Sequence, residues 1–259
     1  MANPLPTLRG SSTQALYPLT RTISFLTRIQ KFANATEQRW PVRPPLARFQ
    51  LSMSSLSAAD KASWLSFFNT QKGRFNQDLA LTLKLNGSDV LYSNLALDSD
   101  SLAVTNARPL EYDQQIVLRQ VRNSSWTPPT PGTNFPTLSS GVACQLPVQQ
   151  SSDFWSNVYD QGSGPRYVWG FYAEGLSGFP TGYLRSWRLS YPVLSDADLA
   201  TLEAFFMTQQ GCYSSFTFTD PLSGSSYDHV RFDTDELAIQ HQDYNRASVT
   251  LLLVQTNNS

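Results

Sequence analysis

The sequence predicts a mainly β protein of two tandem domains, each a β-sandwich or barrel with one short flanking α-helix. Three observations carry this reading. The chain repeats itself at a shift of 138 positions. Its apolar residues alternate over short stretches, the period of half-buried strands. Its 16 prolines and abundant Ser, Thr, Asn and Gln mark many turns, and no long Ala/Glu/Lys/Leu helical stretch occurs.

The repeat sets the order of elements. RFQLSMSSLSAADKASWLSFFNTQKGRF (48–75) falls without a gap on SWRLSYPVLSDADLATLEAFFMTQQGCY (186–213), with 12 of 28 positions identical. Chance identity over such a window is about two positions, so duplication is the economical account. Each copy starts with a short alternating strand. A helix follows, with Ser57 or Ser195 as N-cap and Asp60 or Asp198 three residues later, where the acid faces the positive helix end. Trp64, Phe67 and Phe68 in copy one, and Leu199, Leu202, Phe205 and Phe206 in copy two, share one helical stripe. Gly73 and Gly211 stand where a left-handed C-cap is expected. Next come the strands DLALTLKL and SSFTFTD, glycine turns at Asn86-Gly87 and Ser223-Gly224, and the strands VLYSNLALD and YDHVRFD. Asp98, Asp100, Leu102 and Ala103 fall on Asp233, Asp235, Leu237 and Ala238; each copy closes with Tyr112 or Tyr244 and a final strand.

The domains are therefore placed at 1–122 and 139–259. Between them, 123–138 is a Pro/Thr-rich linker, with four prolines that block a helix. In the second domain, 161–183 is a loop with six glycines and many aromatics.

Charge excludes some functions. With 19 basic and 20 acidic side chains, the chain lacks the basic excess of a non-specific nucleic-acid binder or of a polybasic membrane patch. Cys144 and Cys212 are too few for a disulfide framework and are read as reduced thiols. The N-terminus has no apolar signal core and no window matches a membrane span, so soluble synthesis without membrane insertion is expected.

Chemistry is sparse. Two histidines, His229 and His241, and two cysteines lack zinc-ligand spacing, and neither metal nor cofactor is expected. Copy one has Tyr92 or Ser93 near the position of His229, so that histidine is not a property of the repeat. Asp98/Asp100 and Asp233/Asp235/Glu236 have the residue types of paired catalytic carboxylates or calcium ligands. Their recurrence beside the same strand favours a shared turn in which Asp bonds its own backbone. Phosphate-cradling glycine loops and the GxSxG elbow are absent from the sequence. Trp155, Tyr167, Trp169, Phe171 and Tyr172 are candidate partner contacts, or sugar-stacking rings in a carbohydrate-binding module.

The unit LSDADLATLEAFFMTQQGCYSSFTFTDPLSGSSYDHVRF, a helix ending in FF, then Gly, then FxFxDPxxG, resembles the signature of tailed-phage distal tail and minor tail proteins. ATEQRWPV (35–42) is similar to a segment of the lambda-type minor tail protein M family. The resemblance covers roughly 35–121 and 186–255 and departs from the family by carrying the unit twice. It implies the tail-tube fold in each copy and a structural, non-enzymatic virion protein. The implied role is a distal-tail or tail-tip connector, made in the host cytoplasm and built into the phage tail. Its implied partners are copies of itself in a ring, the tail tube protein and baseplate hub or tail-tip proteins, with DNA passing through the lumen. Three two-domain chains would give a pseudo-six-fold ring; six chains are the alternative. The competing function is a host-surface or carbohydrate-binding module using the loop at 161–183.

Overall fold

The computed structural model describes residues 3–6, 18–31, 37–85, 88–109, 111–123, 126–139, 143–144, 149–151, 184–221, 223–243 and 245–256. Among these the fold is mainly β, as the alternation predicts: one 14-stranded sheet and two α-helices. Copy one contributes β1 (Asn3–Pro4), β2 (Leu19–Lys31), β3 (Glu37–Leu56), α1 (Ala58–Gln71), β4 (Leu79–Leu85), β5 (Ser88–Leu97), β6 (Val104–Arg108) and β7 (Glu111–Gln120). Copy two contributes β8 (Ala143–Cys144), β9 (Gln149–Ser151), β10 (Leu184–Leu194), α2 (Asp196–Gln209), β11 (Phe216–Thr219), β12 (Ser226–Phe232), β13 (Glu236–Asp243) and β14 (Arg246–Gln255).

The duplication holds at the level of register. Phe49 lies opposite Leu118 on β3 and β7, and Trp187 opposite Leu253 on β10 and β14. Leu97 lies opposite Leu118, and Phe232 opposite Leu253. The β4–β5 and β11–β12 pairs share an irregularity, and the residues that create it, Asn94 and His229, both have positive φ (55° and 58°). Asn94 and His229 each accept a backbone hydrogen bond of 2.9 Å, from Val121 and Thr256. The counterpart of His229 is thus Asn94, not Tyr92 or Ser93. Both residue types tolerate the left-handed region better than most, so each can occupy the bulge position.

Each copy has its own apolar core. In copy one Phe49, Leu51, Leu79, Leu81, Leu95 and Leu118 are centred around β3, β4, β5 and β7. In copy two Trp187, Leu202, Phe206, Phe216, Phe218, Phe232 and Leu253 play that part. β3 and β14 alternate buried and outward residues, which is why these sequences stay in strands: one face is apolar and the other is not.

The helices start as expected. Ser57 caps α1 and forms a reciprocal capping box with Asp60, and the Ser195 side chain accepts from the Asp198 backbone N–H at 3.2 Å. Their ends differ by one residue from expectation. The left-handed C-caps are Lys72 and Gln210, with φ of 53° and 55°; Gly73 and Gly211 follow, also at positive φ. A Cβ on Gly73 would stand 2.6 Å from Asp100 Oδ1, and one on Gly211 would stand 2.6 Å from Asp235 Oδ1. The glycine is required by the aspartate's approach as much as by φ.

The stripe of α1 is less covered than expected. Trp64 is buried, but Phe67 and Phe68 are half-buried, whereas Leu199, Leu202, Phe205 and Phe206 are all buried. Two outside elements account for the difference. Phe135 stacks edge-on against Phe205 at 5.5 Å, and Phe25 of β2 against Phe206 at 5.7 Å. Among the described residues, α1 has no equivalent of Phe25 on Phe68.

Phe135 belongs to the segment read as a linker. Residues 126–139 lie against the second core: Asn134 bridges Thr217 in parallel, Gln209 Nε2 donates to the Gly132 carbonyl at 2.7 Å, and Asp198 accepts from Ser139 N and Oγ. β1 makes the corresponding parallel pairing in copy one, Pro4 opposite Ala80, with Leu5 buried in that core. Part of the Pro/Thr-rich stretch is therefore the opening segment of copy two, not a free spacer.

Candidate functional site at the joint between the copies

The two copies are joined by β2, which pairs with β3 along one edge and with β13 along the other, both antiparallel. Its sequence LTRTISF sends every second residue inward: Leu19, Arg21, Ile23 and Phe25 are buried. Leu19 enters the core of copy one, and Ile23 and Phe25 that of copy two. Arg21 stands at the changeover and is 1% exposed.

A buried guanidinium must be paired. Arg21 Nη1 donates to the Tyr92 hydroxyl at 2.5 Å and to Glu203 Oε1 at 3.0 Å, and Nη2 donates to Glu203 Oε2. Tyr92 is on β5 of copy one and Glu203 on α2 of copy two, so one arginine ties the two copies. The Glu203 carboxylate is engaged through both oxygens, the fork geometry for which arginine is suited. Burial alone lowers the Arg21 pKa, but Glu203 and Tyr92 outweigh it and the net shift is upward. Tyr92 is pushed up, mainly by burial, with Arg21 partly opposing.

His241, opposite Leu19 on β13, is 3% exposed, and its Nε2 has no hydrogen-bond partner among the described residues. Burial, then the Arg21 charge, lowers its pKa from 6.5 to about 4. The folded protein thus keeps His241 neutral where the unfolded chain would take a proton. Stability linked to this residue is complete above pH 6.5 and is lost as pH falls towards about 4. Replacing His241 with Leu should flatten this dependence. In urea melts, the stability of wild type relative to His241→Leu should drop by about 2 kcal/mol between pH 7 and pH 5. An unchanged difference would show that the imidazole is solvated or paired.

A second set of bonds locks β2 to the turn after α2. Asp235 Oδ1 accepts from Cys212 N at 3.0 Å and Thr27 Oγ1 at 2.9 Å, Oδ2 accepts from Thr27 N at 2.5 Å, and the Asp235 carbonyl accepts from Phe25 N at 2.9 Å. Arg39 of β3 reaches over to donate to the Cys212 carbonyl at 2.6 Å. Cys212 is a free, buried thiol pushed up to about 11 by burial and then by Asp235, so it is held protonated.

Two of the clustered aspartates, Asp100 and Asp235, act on turn backbone, with one change from expectation. Asp100 and Asp235 do not bond their own turn but the backbone after the glycine: Arg74 N in copy one, Cys212 N in copy two. Asp98 is held by Arg48 at 2.8 Å and Arg119 at 3.4 Å. Among the described residues no group of three His, Cys, Asp or Glu is placed to hold a metal, and no helix is long and apolar enough to cross a membrane. Trp155, Tyr167, Trp169, Phe171 and Tyr172 lie outside the described residues, as does Tyr244.

The sequence marks the helix N-caps and the buried aromatics of α2 but not the joint. An arginine on an alternating strand reads as solvent-facing, although Arg21 shares parity with Leu19, Ile23 and Phe25, and that parity was the available signal. Compared with known proteins, the chain matches no family model and no curated protein.

Proposed function

We propose that this chain is a structural part of a phage tail: a distal-tail or tail-tip connector whose copies close into a ring around the DNA channel. The resemblance over 35–121 and 186–255 motivates the reading. The observation that carries it is the joint itself, because two copies of one unit are united side by side through main-chain pairing of β2 with β13. A unit that already associates with its own duplicate by extending a sheet is suited to self-assembly, and a closed ring leaves no sheet edge open. The role is mechanical, in the virion, between tail tube protein and baseplate hub or tail-tip proteins, with DNA in transit through the lumen.

Native mass spectrometry and negative-stain micrographs of the purified chain test this. Rings are expected, of three chains with pseudo-six-fold symmetry, or of six. A chain that stays monomeric at tens of micromolar, with no rings in the micrographs, would overturn the reading.

A further inference from the structure

We propose that β6 of one chain pairs, antiparallel, with the β8–β9 edge of a second copy of this chain, repeating between chains the joint that β2 and β13 make within one. The proposal rests on the self-assembly reading above and names the surface it uses.

The order of strands carries it. Across the sheet, copy one runs β6, β7, β3, β2; copy two follows with β13, β14, β10 and then β8 and β9. Registers show that these are the same four positions twice. Val104 and Asn106 of β6 face Gln114 and Tyr112, as Ile239 and His241 of β13 face Val249 and Ala247. Leu19 and Thr22 of β2 face Leu51 and Arg48, as Cys144 of β8 and Gln149 of β9 face Leu189 and Ser186. The internal joint therefore uses the last strand of copy one and the first of copy two. The strands left at the ends, β6 and β8–β9, are the counterparts of β13 and β2, and among the described residues neither pairs on its outer side.

A cavity gives independent support. In copy two, β2 lays Phe25 against Phe206 and hydrogen-bonds Asp235. In copy one the corresponding place beside Phe68 is an open groove of about 910 Å³, lined by Leu97, Leu102, Ala103 and Ile116 and running past Thr105 of β6. The segment shaped to fill it is a β2 equivalent, and the β2 of the same chain is already engaged. The β8–β9 edge of another copy supplies it. Such a head-to-tail contact uses two different surfaces, the arrangement that generates rings when it closes.

The register follows from the internal joint. His241 opposite Leu19 and Glu236 opposite Ser24 translate to Asn106 opposite Cys144 and Ser101 opposite Ser151. Directly opposed residues on antiparallel strands have Cα atoms about 4.5–5.5 Å apart, within reach of a disulfide. The test is Asn106→Cys, which would cross-link to the native Cys144 of the neighbour, and Ser101→Cys/Ser151→Cys in a Cys144→Ser background. Both are oxidised with oxidised glutathione and run on non-reducing gels beside native mass spectra.

Covalent multimers up to the chain number of the ring are expected for both, and none for Asn106→Cys/Cys144→Ser. A ring by native mass in which neither pair cross-links would overturn the edge pairing and leave the ring reading standing. A monomer in native mass with no cross-links would overturn both.

Discussion

Glu203→Ala should destabilise the protein by about 3 kcal/mol, the low end of the range for breaking a buried ion pair. The Arg21 side chain is 1% exposed and keeps its charge, while Glu203 is 24% exposed, so water recovers part of what the carboxylate supplied. Tyr92 would be left as the guanidinium's described hydrogen-bond partner. Urea melts followed by tryptophan fluorescence report the loss, and Trp64 and Trp187 place one buried tryptophan in each core. Replacing both partners together, Arg21→Met with Glu203→Leu, should recover most of the stability, because no uncompensated charge remains in the joint. If Glu203→Ala costs under about 1 kcal/mol, Arg21 is solvated and the joint is held by strand pairing alone.

Gly211→Ala should be at least as costly, about 3–5 kcal/mol. Left-handed backbone with a Cβ contributes about 1–2 kcal/mol of that. The remainder comes from Asp235: the new methyl would stand 2.6 Å from Oδ1, so the carboxylate must move away from Cys212 N and Thr27. Hydrogen bonds to a charged group are worth about 1.5–3 kcal/mol each. Gly224→Ala separates the two causes, since Gly224 has φ +68° with nothing within 4 Å of the added Cβ. It should cost only the backbone term, about 1–2 kcal/mol. Gly73→Ala should fall between them, because Asp100 is held mainly by Arg74 and its side chain is 63% exposed. Equal losses at 211 and 224 would show that φ, not the aspartate, is what demands glycine.

The parts of this fold legible in the sequence are those governed by local rules. Ser57 and Ser195 cap helices because a hydroxyl near free N–H groups does so in any protein, and the alternation of RASVTLLLV specifies a strand with one buried face. The repeat also survives because identical local patterns fold identically, down to the bulge at Asn94 and His229. What escaped is what depends on who lies next door. Phe67 and Phe205 occupy equivalent positions, yet Phe67 is half-buried and Phe205 buried, under a ring from a segment whose prolines suggested a spacer. Arg21 is buried because Glu203, 182 residues further along, comes to meet it. Neither event leaves a periodic trace.

The joint made by β2 and β13 has a consequence for how material accumulates. Because both strands belong to one polypeptide, their meeting is part of folding, and dilution does not undo it. A linked segment meets its partner at an effective concentration of the order of millimolar. In the proposed ring, only the contacts between separate chains would then respond to expression level. They would also lack the carboxylate of the polar tie, since Leu65 stands where copy two has Glu203. Seams of two strengths would alternate around such an assembly, and it would come apart first at the chain boundaries.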